Sequence, residues 1–128
     1  MRKILIIEDH ADMRELLAWQ IELMGFMPIA AKLGKEGIEM ALAEKPQLII
    51  MDIMMPGMDG WDAARAIRAL PDTKDIPILA ATALFRDSDL KNCTDAGCNG
   101  YIVKPFTFQE LQGKIQELVP STSTTFPL

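Results

Sequence analysis

Apolar residues along this chain fall into two alternating rhythms. Short continuous runs at 3–7, 48–52, 76–81 and 100–103 are bounded by charges or turn residues, the pattern of strands buried on both faces. Between them the spacing turns helical. Over 12–24, Met13, Leu16, Leu17, Ile21 and Met24 form one stripe, Asp12 and Glu15 favour the positive end of the helix dipole, and Gly25 stops the element. A weaker strand at 26–31 carries Pro28, which assigns it to a sheet edge. Residues 36–44 predict a short helix with Ile38, Ala41 and Leu42 inward, ended by Pro46. Residues 61–70 predict another, with either Ala64 and Ile67 or Ala63, Ile67 and Leu70 facing inward. Asp87 or Ser88 caps a polar helix that runs to Ala96 and closes at Gly97. Thr107 caps the last helix, whose stripe is Phe108, Leu111, Ile115, Leu118 and Val119, and Pro120 stops it. Strands and helices thus alternate five times, which predicts one parallel sheet covered by helices on both faces.

The strand exits carry the chemistry. In a parallel sheet they share one edge, and four of them end in Glu8-Asp9, Asp52, Thr82 and Lys104. The two acid-ended strands must be neighbours for their carboxylates to cooperate, which favours the order 2-1-3-4-5 and a site at the switch between strands 1 and 3. Any one acid alone reads as a solvated strand end; four polar exits converging do not. Three carboxylates in one cleft repel unless a cation sits among them, and a hard oxygen-donor set suits Mg²⁺. Lys104 adds a point charge and Thr82 a hydroxyl. Together these are the parts for moving a phosphoryl group onto Asp52.

Composition narrows the setting. The 128 residues are 49% hydrophobic with a net charge of −5, and the acidic balance argues against direct nucleic-acid binding. No run approaches the roughly 20 apolar residues of a membrane span, so a cytoplasmic protein is expected. Residues 1–119 read as the folded domain, and 120–128 as a disordered polar tail or the remnant of a linker. Cys93 and Cys98 lack the spacing of a metal or redox pair and read as free thiols. Met51, Met54, Met55 and Met58 read as packing and loop residues rather than soft-metal ligands. His10, directly after the acid pair, is placed to touch a ligand or partner but reads first as a solvated loop residue, and Trp61 reads as packing.

The motifs Ile-Ile-Glu8-Asp9, Met51-Asp52-Ile-Met-Met55-Pro56-Gly-Met58-Asp59-Gly60, Ala81-Thr82-Ala83 and Gly100-Tyr101-Ile-Val-Lys104-Pro105-Phe106 resemble those of response-regulator receiver domains over residues 2 to 119. The resemblance implies an α/β fold, a single doubly wound (βα)5 parallel sheet of flavodoxin-like type. It implies that Asp52 accepts a phosphoryl group from a histidine kinase or histidine phosphotransfer protein. Glu8, Asp9, Asp52 and the Met54 backbone carbonyl would hold Mg²⁺. Thr82 and Lys104 would contact the phosphoryl group, Thr82 and Tyr101 would form a switch pair, and Pro105 would shape the site behind a cis bond. A downstream protein target would read the surface of helix 4, strand 5 and helix 5, with the domain a monomer or a weak phosphorylation-dependent dimer. It would be a switch rather than a turnover enzyme. Met54 and Leu84 are apolar where relatives often carry polar side chains, which predicts a long-lived aspartyl phosphate. Three other readings compete: a flavodoxin-type redox carrier, a phosphatase with an aspartyl nucleophile, and a receiver-like interaction module that is never phosphorylated. The first lacks a phosphate loop after strand 1, and the second lacks Asp-x-Asp on that strand.

Overall fold

The computed structural model describes residues 2–55, 57–83 and 86–119. The expectations for Pro56, Leu84 and the tail at 120–128 fall outside the described residues. Five strands and five helices alternate: β1 (Lys3–Ile7), α1 (Ala11–Leu23), β2 (Met27–Ala31), α2 (Gly34–Glu44), β3 (Leu48–Asp52), α3 (Gly60–Ala69), β4 (Ile78–Thr82), α4 (Asp87–Ala96), β5 (Gly100–Val103) and α5 (Phe108–Leu118). The strands form one parallel sheet in the order β2-β1-β3-β4-β5. β2 is the edge strand, where Pro28 removes no central ladder bond.

The two-residue period of a strand sends alternate side chains to opposite layers. Ile4, Ile6, Leu48, Ile50, Leu79 and Ile102 meet Leu17 and Ile21 of α1 and Leu111 and Ile115 of α5. Leu5, Ile7, Ile49, Met51 and Ile78 meet Ala41 of α2 and Ala63, Ala64 and Ile67 of α3. Every residue of β3 and β4 is buried, which is why both read as continuous apolar runs. Each buried Leu, Ile or Met among them contributes about 1.5–3 kcal/mol over its exposed state.

Three expectations change at the helices. Ala41 and partly buried Ile38 pack inward on α2 as expected, but Gly34 and Gly37 share that face and Leu42 is exposed. A Cβ at Gly37 would overlap the Ile7 side chain, so close approach to β1 selects small residues over large apolar ones there. Leu16 lies on the outer side of α1 with Trp19 and Leu23, all exposed. α4 begins after Arg86 at its N-cap, with no side-chain cap, rather than at an Asp87 or Ser88 cap. On α5 the expected cap is present and Leu111, Ile115, Leu118 and Val119 pack on the core: Thr107 accepts from the Glu110 amide and Glu110 accepts from the Thr107 amide, a reciprocal capping box, while Pro120 falls outside the described residues.

At the end of α4, Gly97 adopts a left-handed conformation at φ +103°, and the Cys98 amide donates to the Cys93 carbonyl across it. Both cysteines are free thiols, and Cys93 also accepts from the Trp61 indole N–H at 3.4 Å. Burial, with Cys93 beside it, pushes the Cys98 thiol up to about 12.

Candidate functional site

The parallel ladder delivers the polar exits to one edge. β1 and β3 pair as Ile7↔Met51, so Glu8 and Asp52, each the next residue, leave the sheet side by side. The Glu8 amide donates to the Ala31 carbonyl, which carries the ladder one residue past β1. β4 ends in buried Thr82, whose carbonyl accepts from the Lys104 amide at 2.8 Å and so ties the start of the β5–α5 loop to the same edge. The Lys104–Pro105 peptide bond is cis. Behind Asp52 the loop closes when the Gly60 amide donates to the Ile53 carbonyl at 2.8 Å. Gly60 is required by contact: a Cβ there would sit 2.7 Å from the Asp52 carbonyl oxygen and from the Ile53 Cα.

The side chains converge accordingly. One ligand atom from each of Glu8, Asp9, His10 and Asp52 fits within 4.8 Å of all the others. Lys104 Nζ lies 3.1 Å from Glu8 Oε1 and 3.4 Å from Asp52 Oδ1. Glu8 is 1% exposed and Asp52 5% exposed, so one ammonium serves two buried acids. Asp52 Oδ1 also accepts from the Met54 amide at 3.2 Å.

These neighbours split the two acids. Burial raises Asp52 to about 6 against the pull of Lys104, with the Glu8 charge adding to the rise. Burial also pushes Glu8 up, but hydrogen bonds from the His10 amide and ring, together with Lys104, outweigh it and leave Glu8 below its ordinary value. His10 is raised, chiefly by its bond to Glu8 and then by the Asp9 charge. Asp9 Oδ1 is buried without a hydrogen bond, with His10 Nδ1 3.4 Å away. The pocket is therefore short of positive charge at a defined point.

The response regulator receiver domain family matches residues 4–116 of the chain. The chain belongs to that family. This receiver domain is 37% identical over 114 residues to the transcriptional regulatory protein HprR of Escherichia coli, covering 89% of the chain and 50% of that relative. It is 35% identical to a probable transcriptional regulator, ycf27, of Porphyridium aerugineum, covering 91% of the chain and 48% of the relative. The receiver domain thus spans about half the length of these curated relatives. Among solved structures, the chemotaxis protein CheY4 of Vibrio cholerae superposes with a TM-score of 0.88 at 27% identity, covering 92% of this chain and 98% of that one. The receiver domain of a sensor histidine kinase from Pseudomonas aeruginosa superposes with a TM-score of 0.87 at 32% identity, covering 94% and 98%. That structure holds a magnesium ion in its active-site cleft.

Not every residue expected at the site is in the pocket of the receiver domain. Tyr101 is 39% exposed and pairs in register with Ala80, its ring lying under Lys114 Nζ at 5.7 Å. The Met54 side chain is 61% exposed. One participant escaped the sequence reading and a second was weighed there and set aside. Arg14 Nη1 donates to the Glu8 carbonyl at 2.9 Å and to the Asp9 carbonyl at 3.4 Å, clamping the turn that carries both acids. His10, read as a loop residue, places Nδ1 3.1 Å from Glu8 Oε2. Its adjacency to two acids was the available signal; Arg14 left none, because contacts to backbone carbonyls have no sequence period.

Proposed function

We propose that this receiver domain accepts a phosphoryl group on Asp52 from a phosphohistidine of a histidine kinase or histidine phosphotransfer protein. The carrying observation is the buried Asp52 carboxylate, 3.4 Å from Lys104 and gathered with Glu8 and Asp9 around an unsatisfied carboxylate oxygen. An oxygen-rich pocket with that orphaned Asp9 atom fits Mg²⁺. Asp9, Asp52, the Met54 carbonyl and Glu8 would hold it, Glu8 largely through water. The bound ion supplies charge neutralisation for phosphoryl oxygens.

The protein's own groups do the rest. An Asp52 carboxylate oxygen forms the new bond to phosphorus as the P–N bond to the donor imidazole breaks and its electron pair returns to the ring. Lys104 has reach to the incoming phosphoryl oxygens, because its present partners are Asp52 itself and the neighbouring Glu8. Thr82 offers its hydroxyl from the end of β4. As those contacts form, the Thr82 hydroxyl is drawn to the phosphoryl group and the outward Tyr101 ring moves inward, and the face of α4, β5 and α5 changes for a downstream protein. Pro105 holds the Lys104 loop in shape. Met54, apolar and exposed beside Asp52, gives an attacking water no hydrogen-bond partner, so the aspartyl phosphate is long-lived.

Incubation with Mg²⁺ and acetyl phosphate tests the reading. Intact mass should rise by one phosphoryl group in wild type and stay unchanged in Asp52→Asn. Backbone amide shifts should spread from the Asp52 loop to Thr82, Tyr101 and α4. Phosphoryl addition that persists in Asp52→Asn, or no addition to wild type, overturns it. For the lifetime, loss of phosphate should quicken in Met54→Asn.

A further inference from the structure

The acids of this pocket are not its only donors. His10 is the chain's one histidine, and its ring contributes a nitrogen to the same 4.8 Å cluster as the three carboxylates, with Nδ1 3.1 Å from Glu8 Oε2 and 3.4 Å from Asp9 Oδ1. Its position is set by more than the ring. The His10 amide donates to Glu8 Oε2 at 3.2 Å, the oxygen that Nδ1 also faces at 3.1 Å. Arg14 clamps the carbonyls of Glu8 and Asp9 from behind. The ring therefore stands at the mouth on a braced turn, with its side chain 72% exposed.

The oxygens of Glu8 are both engaged, Oε1 by Lys104 and Oε2 by His10. Two acid donors remain for an ion, the orphaned Asp9 Oδ1 and Asp52. Beside these two and the Met54 carbonyl, the further donor depends on the ion. A hard dication gains little from imidazole, whereas zinc, nickel and cobalt bind nitrogen well. Building on the metal pocket of the proposed function, we propose that His10 Nδ1 is a ligand for a first-row transition dication, so that the pocket prefers such ions over Mg²⁺. With Mg²⁺ the ring stays on Glu8 as a hydrogen-bond donor. With a transition ion it presents the Nδ1 lone pair to the metal, its hydrogen residing on the solvated Nε2.

The single histidine makes the test site-specific, since ions captured by Cys93 or Cys98 leave its spectrum alone. Untagged, ¹⁵N-labelled protein is titrated with Zn²⁺ and, separately, with Mg²⁺, following the imidazole nitrogens and the backbone amides of Ile53 and Met54. Zn²⁺ should move the Nδ1 resonance strongly and Mg²⁺ should not. Zn²⁺ should bind at least about tenfold tighter than Mg²⁺, and His10→Ala should lose about tenfold for Zn²⁺ and clearly less than that for Mg²⁺. Excess Mg²⁺ should restore the free Nδ1 signal, showing a shared site. An Nδ1 resonance unmoved by Zn²⁺, or equal Zn²⁺ affinity in His10→Ala, overturns the role of His10 and leaves the Mg²⁺ pocket standing. Failure of both ions to shift the Ile53 and Met54 amides overturns the pocket itself, and the inference with it.

Discussion

Two cations hold opposite ends of this sheet, and they are satisfied in opposite ways. Arg68 lies where β4 and β5 enter the sheet. Its Nε donates to the Gly97 carbonyl at 2.9 Å, and Nη1 to the carbonyls of Lys74 at 2.9 Å and Ile76 at 2.7 Å. The Asn99 side chain takes Nη2 and also accepts from the Ile78 amide. The fork of a guanidinium matches several fixed carbonyls at once, and its partners carry no net charge. Lys104 lies where the strands leave. It is one point charge divided between two buried carboxylates, with a third acid beside them. The entrance edge is thus closed by matched hydrogen bonds, while the exit edge retains an uncompensated negative charge. A molecule can place its stability and its reactivity at different ends of the same strands.

Breaking the matched end should have the largest effect. Arg68→Ala strips several carbonyls of their donor and should cost about 3 kcal/mol in urea unfolding, while Mg²⁺ affinity at the far edge stays unchanged. A comparable loss of affinity would mean that the two ends are coupled. Gly60→Ala attacks the other end through its backbone, since the new Cβ would meet the Asp52 carbonyl and the Ile53 Cα at 2.7 Å. A loss of about 2 kcal/mol is expected, together with weaker Mg²⁺ binding in the same titration.

The third prediction runs in the favourable direction. Asp52 ordinarily ionises at 3.8 and here at about 6, so the folded state holds its proton more tightly than the unfolded chain does. Ionisation therefore weakens the fold: not at all below the lower value, increasingly between the two, and fully above the higher one. In metal-free buffer Asp52→Asn should raise stability by about 1–2 kcal/mol above roughly pH 7, and the gain should vanish below about pH 4. A gain that does not change with pH would show that the exit edge carries no such charge strain. The smallest expected effect is saturable: Mg²⁺ at ten times its dissociation constant should stabilise wild type by about 1.4 kcal/mol, and Asp52→Asn by less.

The same contrast governs what was legible in the sequence. The exit edge could be read because strand periodicity and parallel topology together bring Glu8, Asp9, Asp52 and Lys104 to one place. The sheet order followed from the need to set two acid-ended strands side by side, and the fold has that order. Arg68 at the entrance edge stayed hidden, since its partners are backbone carbonyls and one amide spread over α3–β4 and α4–β5 connections. The inner face of α2 was misread for a different reason. Hydrophobicity ranks Leu42 above Gly34 and Gly37, but close approach decides the matter, to Ile7 at Gly37 and to Met58 and Ala63 at Gly34, while Ile38 does pack on the core. Spacing of small residues at 34, 37 and 41 was the signal available.

The turn that closes α4 has a practical consequence at the bench. Cys93 is 3% exposed and the Cys98 thiol stays protonated far above neutrality, while alkylating and maleimide reagents attack thiolates. One cysteine introduced on an open surface, such as at Trp19, should then react with a dye or spin label long before either native sulfur. Attachment chemistry on this protein needs no prior removal of its own cysteines.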